Sequence, residues 1–217
     1  MFSLGVSFGK GEFFYMLKKL GLVALIEASF FAALAFIFDL LPSIRLSPSI
    51  SISFAMVPIF LLAFRWGFKV SALAGFIWGL LQVALGDAAG SILTPLQGFI
   101  EYFVAFAFTG FAGFFYKPVQ AAFRKGKKTS ALFLVIMAVF VGSVARYFWH
   151  FIAGFIFWGE YAPEGMNPVW FSLVANGVTA LGAAVLCSIL LVLVLSSAPA
   201  LILRKTTAPV PSSKQAS

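Results

Sequence analysis

The chain has 217 residues, of which 62% are hydrophobic and only 10% charged, with a net charge of +8. A soluble domain carries about 25% charged residues, so this composition excludes one, and the mean hydropathy of +1.04 marks a single integral membrane domain. The lone cysteine, Cys187, lies in an apolar run, which excludes an internal disulfide and suggests no zinc site.

The elements follow from counting apolar residues, since a membrane helix needs about 20 of them. Residues 1–16 read as a short cytoplasmic lead. The apolar run that follows Lys18 and Lys19 is longer than the ~7–15 residue core of a signal peptide, so it reads as a retained first helix over 17–41, ended by Pro42. A polar, serine-rich loop leads to a second helix over 52–64, short and broken by Pro58. A tight turn at 65–69 opens a third helix over 70–85. After a loop with Asp87 and Pro95 comes a fourth helix over 96–116. A basic segment with Pro118 and Gly126 precedes the fifth helix, 131–158. The sixth spans 169–203, and the Pro/Ser-rich tail from 204 to 217 reads as disordered and cytoplasmic. The expectation is an all-α integral membrane protein with six transmembrane helices in one domain over 17–203.

Lysine and arginine orient it. Lys10, Lys18 and Lys19, then Arg65 and Lys69, then Lys117, Arg124, Lys125, Lys127 and Lys128, then Arg204, Lys205 and Lys214 all fall on one side of six spans. The other side has Arg45 with Asp39, Asp87, Glu160 and Glu164. Both termini are therefore expected in the cytoplasm. This distribution is one of topology and lipid contact, not of nucleic-acid binding.

Within so apolar a chain, the segment 147–177 stands out. It holds the one histidine, His150, with Trp149, Trp158, Trp170, Glu160, Glu164 and Asn176. Glu101 in the fourth helix, His150 in the fifth and Asn176 in the sixth fall at similar depth below the outer surface. Arg146, His150, Gly154 and Trp158 recur every four residues and share a face, with Gly154 leaving a gap where a planar ring can enter. A charged residue at this depth costs about 2.5–3.5 kcal/mol on insertion scales, so Glu101 reads as the counter-charge of a cationic ligand, with a structural pair to Arg146 or simple protonation as the other reading. Tryptophans at a boundary are ordinarily interfacial; Trp158 is the better pocket candidate because it shares the His150 face. The segment reads as a pocket for a small, flat, cationic solute. Glu27 has no assigned role. Ala24, Ala28 and Ala32 form a small-residue stripe that lets a helix approach closely, inside the protein or outside it. No nucleotide-binding, serine-hydrolase or zinc-protease motif is present, and no catalytic residue, cofactor or metal is assigned.

The segments LPSIRL (41–46) and SISISFAMVPIFLLAFRWG (49–67), FIWGLLQ (76–82), TPLQGFIEYFVAF (94–106) and WHFIAGFIFWGEYAP (149–163), followed by Asn176, resemble the thiamine transporter family (ThiT/YuaJ). Its members are substrate-binding S-components of energy-coupling factor (ECF) transporters, and the likeness covers about residues 20–195. It implies a six-helix fold with a thiamine pocket near the extracellular face, covered by the loop between the first two helices. It also implies substrate contacts at Glu101, Tyr102, His150, Gly154, Trp158, the Phe171 position and Asn176. A docking surface at Ala24, Ala28 and Ala32 for a transmembrane coupling subunit, with two ATPase subunits beyond it, is implied as well. Some members carry tyrosine where this chain has Phe171, and a tryptophan in the first loop that is absent between Pro42 and Phe64. The expected function is high-affinity thiamine binding for an ATP-driven importer. The alternatives are a precursor such as hydroxymethylpyrimidine or another vitamin as ligand, a structural or assembly protein, and, least supported, an intramembrane enzyme using Glu101 and His150.

Overall fold

The structure, a computed structural model, describes residues 20–204. The lead over 1–16, Lys18, Lys19 and the tail beyond Arg204 lie outside the described residues. Six helices and one hairpin follow in order: α1 (Leu22–Asp39), β1 (Ile44–Ser47), β2 (Ile50–Ile52), α2 (Val57–Trp66), α3 (Phe68–Leu85), α4 (Pro95–Arg124), α5 (Lys128–Phe157) and α6 (Pro168–Ser197). All but α2 are long and apolar enough to cross a membrane. The chain is thus an all-helical, multi-pass membrane protein. Its outer surface carries apolar side chains as open as Leu22 at 73% and Leu85 at 70% exposure, a pattern that lipid permits and water does not.

The short helix shapes the molecule. The 10 residues of α2 rise about 15 Å, half of a ~30 Å bilayer core. Pro58 does not break this helix as expected; it sits in the first turn, where a missing N–H leaves no bond unmade. The other half of the pass is made by the segment from Leu40 to Met56, so the second helix begins at Val57 rather than at 52 as expected. Residues Ile44–Ser47 and Ile50–Ile52 pair as an antiparallel hairpin. Ile52 locks it in place, because its Cδ1 lies 2.4 Å from where a Cβ on Gly182 of α6 would stand.

At the opposite, basic end, Gly67 turns the chain from α2 into α3 in one residue at φ 82°, a conformation that favours glycine. Glu27 gains a role here. It accepts from Arg65 Nε at 2.5 Å, Arg65 Nη2 at 2.9 Å and Trp66 Nε1 at 2.7 Å, which ties α1 to α2. The guanidinium of Arg204 lies 3.5 Å over the Trp66 ring.

Three boundaries shift. The basic segment after residue 116 is helical to Arg124 and again from Lys128; Pro118 falls in a first turn after a 3-10 stretch, Thr109–Phe115. The last helix ends at Ser197 because Pro199 bars helical geometry at Ala198. The alanine stripe is also corrected. Ala24, Ala28 and Ala32 are fully buried, with Ala35, where α1 packs on α2 and α3. These residues present no free surface to a partner subunit; their small size closes an internal seam.

A second close seam joins α3 to α4. A Cβ on Gly79 would stand 1.6 Å from the Tyr102 carbonyl oxygen, and one on Gly75 would stand 2.2 Å from that of Phe106. In return Gly110 and Gly113 of α4 abut the backbone of Ala72 and Phe68. Glycines four apart on α3 and three apart on α4 let the two backbones touch. The stretch of α4 pressed on Gly79 is a π turn, Phe99–Val104, a form that concentrates at functional sites. Gly79→Ala is therefore expected to push α4 off α3, lower stability by about 1–3 kcal/mol and lower the thermal unfolding midpoint in detergent. An unchanged midpoint contradicts this packing.

Candidate ligand-binding cavity

The π turn carries one buried residue, Glu101. Thr94 caps the start of α4 by accepting from Gln97 N at 3.1 Å. Gln97, fully buried, accepts from Leu93 N at 3.0 Å and donates through Nε2 to Glu101 Oε2. The other carboxylate oxygen, Oε1, accepts from Trp158 Nε1 at 3.1 Å. Glu101 is only 8% exposed, and both its oxygens are held by neutral donors. No cation pairs with it among the described residues.

That carboxylate opens on a cavity of about 480 Å³. From α5 it is lined by His150, Gly154 and Trp158, and from α6 by Phe171, Ser172, Ala175 and Asn176. The hairpin turn, Pro48 and Ser49, roofs it beside Tyr161. The expected depth match is thus realised: an acid, an imidazole, an indole and an amide from three helices face one space. The first loop covers it, as the resemblance implied, though as a hairpin.

The individual groups differ in detail from expectation. The gap beside Gly154 is partly occupied, since Ser172 Oγ lies 2.3 Å from where a Cβ would stand. That hydroxyl donates to the Phe151 carbonyl at 2.9 Å, so the glycine lets α6 bond directly to α5. Asn176 Nδ2 donates to Ser172 O at 3.0 Å and Oγ at 3.2 Å; no donor reaches its Oδ1 among the described residues. The imidazole of His150 lies between the rings of Phe106 at 6.3 Å and Tyr147 at 5.6 Å, and no hydrogen bond to it occurs among the described residues. The Trp158 ring is fixed by its bond to Glu101 and flanked by Tyr161 at 5.5 Å.

Tyr102 packs in the core beside Phe106 at 6.0 Å and is not among the lining residues. Trp170 is 59% exposed, and Trp149 stands against Phe108 at 5.3 Å. Arg146 does not pair with Glu101; its guanidinium lies 4.0 Å from the Phe106 ring centroid and 4.5 Å from that of Trp78. Gln97, Tyr161 and Ser172 were missed. Gln97 was findable, since it precedes Glu101 by four residues in a helix. Tyr161 and Ser172 carry no such signal. A groove of about 470 Å³ between α4 and α5, at Phe108, Phe111, Phe140 and Phe148, is lined by apolar side chains throughout and offers nothing to orient a polar solute. Among the described residues no group of three His, Cys, Asp or Glu could hold a metal.

Residues 25–203 match the family described as thiamine transporter protein (Thia_YuaJ). The thiamine transporter ThiT of Lacticaseibacillus paracasei is 38% identical over 185 residues, covering 85% of this chain and 92% of that protein. ThiT of Bacillus subtilis is 39% identical over 184 residues, 83% and 94% of the two chains. The solved structure of ThiT from Listeria monocytogenes, 38% identical, superposes with a TM-score of 0.80 over 84% of this chain and 98% of that one.

The Gln97–Glu101 pair yields a direct test. Gln97→Leu strips one donor from a buried carboxylate and one acceptor from Leu93 N, a loss of about 1–3 kcal/mol, read as a lower unfolding midpoint. Adding Glu101→Leu is expected to recover part of it, because the carboxylate stripped of its donor is then gone, while Leu93 N and Trp158 Nε1 are left without their acceptors. Equal midpoints for wild type and Gln97→Leu contradict the pairing.

Proposed function

The chain belongs to the thiamine transporter protein family, and we propose that the cavity under the hairpin is where it takes up thiamine, with high affinity, from the extracellular side. The protein is a multi-pass cell-membrane component of thiamine transport rather than an enzyme. The observation that carries the site assignment is Glu101: a carboxylate within the apolar layer, held by two neutral donors and facing a cavity of ligand size.

Thiamine joins a permanently charged thiazolium to an aminopyrimidine. The thiazolium is the cation that Glu101 lacks, and a charge pair formed away from water is far stronger than one in it. The indole of Trp158 offers a ring face for stacking and a cation–π contact, worth ~0.5–2 kcal/mol. Its N–H bond to Glu101 couples the two, so ring and charge are positioned together. His150 and Asn176 supply hydrogen-bonding edges for the aminopyrimidine. Phe171 lines the cavity without a hydroxyl, and Tyr161 at its mouth supplies one instead. Tyr102 acts through the backbone, since its carbonyl seats the π turn on Gly79. The roof, Pro48 and Ser49, takes the place of a tryptophan lid.

The same reading makes the chain the S-component of an ECF importer. Its energy then comes from two separate ATPase subunits through a transmembrane coupling subunit, as the family resemblance implies and as the lack of a nucleotide-binding motif favours. Both termini lie in the cytoplasm, on the side of Arg65, Lys69 and the basic α4–α5 junction, by the positive-inside pattern. The coupling subunit then docks on surface other than Ala24, Ala28 and Ala32, which are buried. A precursor such as hydroxymethylpyrimidine fits the Phe171 departure, but it carries no fixed charge and leaves Glu101 unpaired.

Calorimetric titration of the purified full chain tests the assignment. Thiamine is expected to bind and hydroxymethylpyrimidine, riboflavin and biotin to bind far more weakly. Glu101→Gln, which keeps shape and removes charge, is expected to weaken thiamine by at least about 30-fold, the ~2 kcal/mol lower bound for a buried charge pair. Equal affinity for thiamine in wild type and Glu101→Gln overturns the role of the carboxylate; tighter binding of the precursor overturns the ligand.

A further inference from the structure

At the basic end of the molecule, away from the ligand cavity, an opening of about 470 Å³ lies where α1, α2 and the segment after α6 meet. It is lined by Val23, Glu27, Arg65, Trp66, Leu203 and Arg204. Two guanidinium groups face one carboxylate there, so the opening carries a net positive charge. Glu27 is fully engaged: Oε1 accepts from Arg65 Nη2, and Oε2 accepts from Arg65 Nε and Trp66 Nε1. Arg65 makes a third bond, from Nη1 to the Leu201 carbonyl at 3.2 Å. The rest of its five N–H groups have no partner among the described residues.

Arg204 is the charge left over. Its guanidinium carbon lies 3.5 Å from the centroid of the Trp66 ring, and its carbonyl accepts from Arg124 Nη2 at 3.1 Å. Side chain and backbone are therefore both held. No hydrogen bond or ion pair from this guanidinium occurs among the described residues. A ring covers only the face of a guanidinium; the donors lie in its plane, in a fork that matches a phosphate. Nothing else at this end neutralises it. Lys69, Lys117, Lys125, Lys127 and Lys128 share the end, and Glu27 is the one acid there among the described residues. The chain outside the structure does not supply the missing charge either, since 1–19 and 205–217 hold five lysines and one acid, Glu12.

The opening also has an apolar wall that faces out of the protein. Val23, Ile26 and Phe30 recur at helical spacing on α1 and are 59%, 59% and 62% exposed. They run from the opening toward the bilayer centre, on surface that meets lipid. A ligand that fits both parts has an anionic head and an apolar body. We propose that this is a site for an anionic phospholipid of the leaflet at the basic end. Its phosphate lies between Arg204 and Arg65, and one acyl chain follows Val23, Ile26 and Phe30. Basic pockets between membrane helices recognise such headgroups in this way. An acidic segment of another protein matches the charge but not the apolar track, which the bilayer already covers. Bound there, the lipid bridges α1, the end of α2 and the segment after α6, and so reinforces the tie that Glu27 makes.

Native mass spectrometry of the full chain in neutral detergent tests the site, with phosphatidylglycerol and phosphatidylcholine of the same acyl chains. Wild type is expected to bind phosphatidylglycerol more tightly than phosphatidylcholine, and its unfolding midpoint to rise more with the former. Arg204→Gln is expected to weaken phosphatidylglycerol by about fivefold, the share of one basic residue at an anionic lipid surface, and to leave phosphatidylcholine unchanged. Arg204→Lys, which keeps the charge and loses the fork, is expected to lose less. Lys127→Gln, on the exposed α4–α5 junction, is expected to bind as wild type does. Equal weakening in Arg204→Gln and Lys127→Gln shows a diffuse basic surface rather than a site and overturns the proposal. So does a wild type with no preference for phosphatidylglycerol, the result expected if an acidic protein segment were the occupant; this comparison decides without any variant, should one fail to fold. Inorganic phosphate separates the sources: phosphatidylglycerol retained in its presence supports a lipid, whereas displacement by it shows a free-anion site and overturns the lipid.

Discussion

The structure turns on one buried carboxylate that no cation pairs with among the described residues. Glu101 is buried in the apolar layer, and a chain that only needed stability would pair such a group with arginine or dispense with it. Arg146 is available at the right depth and is instead held apart by aromatic rings. Gln97 and Trp158 satisfy the geometry of the carboxylate without cancelling its charge. On the proposed reading, the carboxylate is thereby left for a cationic ligand.

The rest of the fold serves this arrangement. Because α2 is half the length of a membrane pass, the hairpin fills the remaining half and roofs a cavity that a full helix would occupy. Because α3 and α4 meet backbone to backbone at Gly75 and Gly79, the π turn that carries Glu101 has a rigid bed. Because Gly154 admits Ser172, α5 and α6 are bonded together beside the cavity rather than merely packed. Each of these is a local departure from a regular helix bundle, and each lies next to the ligand space. The regular seam, the alanines of α1, lies away from it and closes the core.

Much of the site was legible because an apolar chain makes polar residues conspicuous. Glu101, His150, Trp158 and Asn176 could be ranked by depth from helix boundaries alone, and the structure brings all four to one cavity. What depth does not encode is the neighbour. Arg146 sits at a depth from which it could have paired with Glu101, and only packing decides that it faces Trp78 and Phe106. The alanine stripe was equally ambiguous, since small side chains serve an internal seam and an external dock alike, and burial resolves it as internal. The hairpin was hidden in a serine-rich stretch with two prolines that reads as loop. The π turn was invisible because hydrogen-bond register leaves no mark in composition, and Pro58 misled because a proline that starts a helix has the same letter as one that breaks it.

The central claim is that Glu101, His150, Trp158 and Asn176 enclose a cationic ligand beneath the hairpin. An experimental structure determined with thiamine present tests it most directly. The account predicts ligand density in the cavity of about 480 Å³, with one ring against the Trp158 indole and the positive ring nearest the Glu101 carboxylate. Thiamine bound elsewhere, or in this cavity with its positive ring turned away from Glu101 and toward Arg146, would contradict it.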